Sequence, residues 1–123
     1  MPQVISFATA TPESSTYRPA PERILGGDPV QTAHILFTSS DGCFVCGSWE
    51  AQPGSWRVVF TESEFCALLQ GAVKVTDAAG SVTIFRAGDA FVSPAGFTGI
   101  WEILEPTRKL FASYEAAAGT ETR

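Results

Sequence analysis

Hydrophobic and polar residues alternate with a period of two through the middle of the chain. Over 72–76, Val73 and Val75 alternate with Lys74 and Thr76; over 81–85, Val82 and Ile84 flank Thr83. The intervening Asp77-Ala78-Ala79-Gly80 predicts a hairpin with one buried and one wet face. Further short runs rich in β-branched and aromatic residues lie at 32–38, 43–50, 56–60, 64–69, 90–93, 98–104 and 108–114. Turn residues separate them, among them Gly26-Gly27-Asp28-Pro29, Gln52-Pro53-Gly54-Ser55, Gly88-Asp89 and Pro94-Ala95-Gly96. No stretch has helical periodicity. Short strands with turn signals about every 8 to 12 residues predict an all-β sandwich or barrel.

The first 24 residues follow a different rule. Val4-Ile5-Ser6-Phe7 is a short strand candidate. Pro12, Pro19, Pro21 and the small polar residues around them preclude a helix and favour an extended arm. Such an arm lies along the domain or across a partner subunit. The pattern therefore divides the chain into an N-terminal arm (1–24), a barrel (25–115) and a small, polar tail (116–123) that should fray.

Composition narrows the function. One core fits in 123 residues, and 45% hydrophobic residues with nine Phe and three Trp can make it rich in aromatics. Only 17% of residues are charged, too few to solvate a disordered chain. The net charge is −5 and the eight Lys and Arg are scattered, which excludes a basic nucleic-acid surface. No apolar run approaches the roughly 18–20 residues that span a bilayer, so no membrane partner is expected. The N-terminus has no secretory pattern, and three cysteines are an odd number for a disulfide framework. A cytoplasmic protein is the expectation.

Two motifs carry a resemblance. Glu64 and Gly71 enclose six residues; Gly88, Pro94 and Gly96 follow with five residues and then one between them. In this order, joined by a hairpin, they resemble the two motifs of the cupin superfamily. The wider run Gly47-Ser48-Trp49-Glu50, Glu64-Phe65-Cys66, Trp101-Glu102 and Arg108-Lys109 is similar to small single-domain cupins. These are of the ureidoglycine aminohydrolase-like and ethanolamine-utilisation kind, many without an assigned function. The resemblance implies a double-stranded β-helix, a jelly-roll-like barrel, with Glu64 facing the interior.

The resemblance also implies where a metal would be held, by three histidines and the glutamate. Counting three intervening residues back from Glu64 puts the first two histidine positions at Val58 and Phe60; counting four puts them at Arg57 and Val59. The third falls at Gly99. None is a histidine, and the lone histidine, His34, lies outside both motifs. Divalent metals need three or four converging N, O or S donors. No metal and no other cofactor is therefore expected.

An interior carboxylate without a metal needs a partner or a proton. Candidate partners for Glu64 are Lys109, Arg57 and a bound ligand. If Gly99 points inward, alternation carries Trp101 and Ile103 inward too. The candidate ligand-binding residues are then Phe60, Glu64, Cys66, Phe97, Trp101 and Lys109, with Glu64 the candidate acid or base; Trp49 and Phe91 read as core. Cys43-x-x-Cys46 lacks a second pair, so buried or half-buried strand thiols are favoured over zinc. His34 reads as a hydrogen-bonded structural or interface residue.

The strand 64–69 is apolar on its outward side as well, through Phe65, Ala67 and Leu69, and needs a cover, either the second sheet and N-terminal arm or a second subunit; a homodimer is expected. The reading that follows is a metal-independent cupin binding a small polar metabolite in its barrel. Its rivals are an aminohydrolase- or isomerase-like enzyme using Glu64, and a non-catalytic dimeric accessory or sensor domain with a filled barrel.

Overall fold

A computed structural model describes residues 2–117. Among them are nine strands, one short 3-10 turn (Pro21–Arg23) and no α-helix. The strands are β1 (Glu13–Tyr17), β2 (Ile24–Gly27), β3 (Gln31–Thr38), β4 (Phe44–Ala51) and β5 (Gly54–Val59). They continue with β6 (Ser63–Asp77), β7 (Val82–Arg86), β8 (Ala90–Ser93) and β9 (Thr98–Tyr114). No helix among the described residues is long and apolar enough to cross a membrane.

Two long strands, β6 and β9, pair antiparallel along most of their length and form the spine. The N-terminal half of β6 is flanked by β8 and its C-terminal half by β7. β9 pairs with β4 through 107–114 and with β5 through 98–103. β3 and then β1 extend the sheet beyond β4, and β2 beyond β5. Because each spine strand serves different neighbours at its two ends, the sheet curls into the all-β barrel that the sequence pattern predicts.

Two details differ from the segmentation read off the sequence. The runs 64–69 and 72–76 belong to one strand, bent but not broken at Gly71. Gly71 has φ +93, and the β6–β9 register shifts beside it; an added Cβ there would collide with Thr107. The Thr107 hydroxyl accepts the Ala72 amide at 3.2 Å and fixes the bend. Likewise 98–104 and 108–114 are one strand, although Pro106 lies between them. Its register partners are absent on every side, so the missing amide breaks no ladder bond.

The arm also folds differently in detail. Val4-Ile5-Ser6-Phe7 is not a strand: Ser6 accepts the amides of Thr9 and Ala10, and Val4 is 99% exposed with no neighbouring strand to pair with. The extended segment is Glu13–Tyr17, which pairs with β3 from Glu13↔Ile35 to Tyr17↔Gln31. Gly26-Gly27, read as a turn, is the end of β2 against Gly54-Ser55 of β5. The Arg18 guanidinium grips the Asp28 carboxylate through two hydrogen bonds of 2.7 and 3.1 Å. That contact holds the Asp28 carboxyl below its usual range. The expected frayed tail falls almost entirely outside the described residues.

The core is a cluster of Trp49, Trp56, Val58, Cys66, Leu68, Val73, Trp101 and Ile103. All three tryptophans of the chain are in it.

Candidate functional site

Alternation aims Glu64, Cys66 and Leu68 of β6 inward, together with Lys109 and Phe111 of β9. Register sets Lys109 between Leu68 on one side and Trp49 on the other. The lysine ammonium donates to Glu64 Oε2 at 2.6 Å and to Cys66 Sγ at 3.4 Å. The Cys66 thiol in turn donates to the same carboxylate oxygen at 3.3 Å. Lys109 is only 3% exposed. Its Nζ also lies 4.4 and 4.6 Å from the ring centres of Trp49 and Trp101, so two indole faces replace the water it lost.

Electrostatics follow from this packing. Burial alone would push the lysine pKa down, but the Glu64 charge and the Cys66 sulfur outweigh it and leave it above the ordinary lysine value. Burial pushes the Cys66 thiol up to about 12, against the opposing pull of Lys109. Beside Glu64 the site therefore holds a charged ammonium and a protonated thiol at neutral pH. A thiol held protonated in this way is a weak nucleophile.

The pair forms part of the lining of an open cavity of about 510 Å³. Trp49, Trp56, Val58 and Trp101 are its buried walls, and Gln31 joins them by accepting the Trp49 indole N–H at 3.2 Å. Phe60 leans on Trp101 with ring centres 5.7 Å apart. The arm closes one side with Tyr17, Pro19 and Arg23. Tyr17 is 42% exposed as a whole, yet burial still raises its phenol pKa against the opposing influence of the Trp49 indole and the Lys109 charge.

Of the residues singled out from the sequence, Phe60, Glu64, Trp101 and Lys109 meet at this cavity. Cys66 is fully buried beside the ion pair. Phe97 borders a smaller hollow of about 150 Å³ with Phe85 and Phe91, packs against the core, and meets Phe60 edge to face at 6.2 Å. Arg57 lines the cavity but pairs with no acid among the described residues; the partner of Glu64 is Lys109. Sequence reasoning missed Trp56, Gln31, Tyr17 and Arg23, and assigned Trp49 to the core alone. Extending the alternation of Val58 and Phe60 back by two residues would have found Trp56.

The positions that would ligate a cupin metal do not fit one. Val58 is buried and Phe60 packs against the core, whereas Arg57 and Val59 are exposed, so the three-residue count gives the inward pair. At Gly99 an added Cβ would overlap the Thr76 carbonyl and lie 2.9 Å from the Phe97 ring, so no side chain of any kind has room. Glu64 is left as one donor, already engaged by Lys109. Among the described residues no three His, Cys, Asp or Glu side chains converge.

The remaining candidates are structural. His34 Nδ1 lies 2.7 Å from Ser14 Oγ, tying β1 to β3, and its Nε2 is 3.9 Å from Glu50. Cys43 and Cys46 are free, half-buried thiols. Asp89 accepts the Arg86 amide at 2.8 Å, a turn residue as its Gly-Asp context predicts.

The sequence profile of the EutQ-like cupin domain matches residues 38–111. The chain belongs to that family. A DUF861-family protein from Thermotoga maritima is 30% identical, with 54% of this chain and 75% of that one covered and a TM-score of 0.52. A DUF861-family protein of unknown function from Pseudomonas syringae pv. tomato gives a TM-score of 0.76 at 21% identity, covering 89% of this chain and 46% of its own. A putative ethanolamine utilization protein Q from Salmonella typhimurium gives 0.63 at 17% identity, covering 89% and 99%. This cupin spans about 64% of the length of Clostridium difficile EutQ, another structural neighbour. No curated protein matches the sequence. These relatives fix the fold and the family and assign no activity to this cupin.

Proposed function

We infer that this cupin binds a small polar metabolite inside its barrel without a metal. The observation that carries the reading is the buried Lys109–Glu64 pair facing an open, mostly apolar cavity of about 510 Å³. That volume is within the range of about 300–1,000 Å³ typical of small-molecule sites. A barrel serving only as a scaffold would gain stability by filling the space with side chains. Glu64 is a poor candidate for a free general base, because its Oε2 already accepts from the Lys109 ammonium at 2.6 Å and from the Cys66 thiol at 3.3 Å. Binding is thus favoured over acid–base turnover. A melting-temperature screen of chelator-treated protein against small carboxylates, amines and ureido compounds tests this. Ligand at 100 times Kd adds about 2.7 kcal/mol, which moves a domain of this size by several degrees. A flat response across the screen contradicts the reading.

A second copy of the chain is the proposed partner. Val92, Phe65, Ala112, Cys46 and Phe37 lie in one register row across β8, β6, β9, β4 and β3. Their side chains share the outer face; Val92 is 59% exposed and Phe65 48%. Tyr114 and Phe44, paired across β9 and β4, extend the apolar row. A uniformly apolar strip is complementary to itself, which suits a two-fold interface.

A further inference from the structure

The cavity linings sort by depth. Trp49, Trp56, Trp101 and Lys109 are buried and form the floor and walls, whereas Arg23 and Arg57 are exposed and stand at the mouth. Arg18 and Arg108 each face a carboxylate, but among the described residues neither Arg23 nor Arg57 has an acidic partner. Glu62 is the one acid beside them at the mouth. With Lys109 offset by Glu64, the opening of the site carries one net positive charge on a protein whose overall charge is −5.

At the floor, both hydrogen bonds that Glu64 accepts among the described residues end on Oε2. Oε1 is left to accept from a ligand. Between floor and mouth the surface is aromatic: three indoles, Phe60 and Tyr17. The net positive charge left by Arg23 and Arg57 at the opening disfavours a cationic guest.

We propose that the site takes a small aromatic carboxylate with a hydrogen-bond donor at the end opposite its acid group. The acid group is held by Arg57 and Arg23 at the mouth, the ring lies against the aromatic wall, and the donor reaches Glu64 Oε1. This rests on the cavity being a ligand site. Guanidinium is suited to it, since its planar fork matches a carboxylate in two parallel bonds.

Calorimetric titration of the full chain with four probes tests the class: 4-hydroxybenzoate, benzoate, 4-hydroxybenzamide and tyramine. 4-Hydroxybenzoate binds; benzoate, without the donor, and the amide, without the charge, each bind about tenfold more weakly, and tyramine does not bind. Arg57→Gln, a change at an exposed position, weakens 4-hydroxybenzoate about tenfold and leaves the amide unchanged. Equal binding of the acid, the amide and the amine overturns the proposal, as does an Arg57→Gln variant with unaltered affinity for the acid. If none of the four binds while other compounds raise the melting temperature, this ligand class is wrong and the binding function stands. If no compound of any class binds, both fail.

Discussion

Lys109 and Glu64, 45 residues apart in sequence, meet across the β6–β9 spine at 2.6 Å in a site only 3% exposed on the lysine side. Removing one member of such a pair strands the other charge in the interior. Lys109→Met should therefore cost about 3–5 kcal/mol in urea unfolding. Glu64→Leu combined with Lys109→Met should recover most of that loss, because two apolar side chains leave no unpaired charge. A double variant no more stable than Lys109→Met alone would show that the pair does not act as a unit.

The same cluster makes this cupin sensitive to alkali. The Cys66 thiol rises from 9.0 to about 12 through burial. Between those values an unfolded chain gives up the proton and the folded one keeps it, so stability falls as pH climbs from about 9. Lys109 acts in the same direction: its pKa is raised above 10.5, so its contribution is full below that pH and is lost as pH rises through the folded value. Each proton of difference is a slope of about 1.4 kcal/mol per pH unit. Cys66→Ser should flatten the decline in unfolding free energy between pH 9 and 11. An unchanged slope would remove the thiol from this linkage.

Much of this site was legible in the sequence, because period-two alternation and the Glu64 spacing are local. With the cupin resemblance they pointed to the inward face of β6, left Val58 and Phe60 open against Arg57 and Val59, and put Lys109 among three candidate partners for the carboxylate. What could not be read is set by distant pairing. Tyr17 and Arg23 reach the cavity because β1 is zipped to β3 by a polar ladder and the chain is pinned at Arg18–Asp28. No hydrophobic pattern marks either contact. The placing of Phe97 at a second hollow depends on ring packing that spacing rules do not contain.

Gly99 is closed to repair. Since a Cβ at this position meets the backbone of β6, Gly99→Ala should destabilise the fold by about 1–3 kcal/mol or more. Adding Val58→His and Phe60→His without it should give no stoichiometric zinc by elemental analysis. Stable folding of Gly99→His with bound metal would contradict this.

The apolar row across five strands predicts a dimer at micromolar concentration by sedimentation. Phe65→Arg, paired directly against Val92 and Ala112, should release monomer that keeps the wild-type circular dichroism. A wild-type monomer at all concentrations would mean that the row is simply solvated.

Metal-free binding in the barrel is tested most directly by intrinsic fluorescence. All three tryptophans line the cavity, so the whole emission of the protein reports its occupancy. Titrating a compound that raises the melting temperature should give a saturable change, identical with chelator and with added zinc or manganese. A compound that stabilises the protein without altering emission, or alters it only when metal is supplied, would contradict a metal-independent site between Trp49, Trp101 and the Lys109–Glu64 pair.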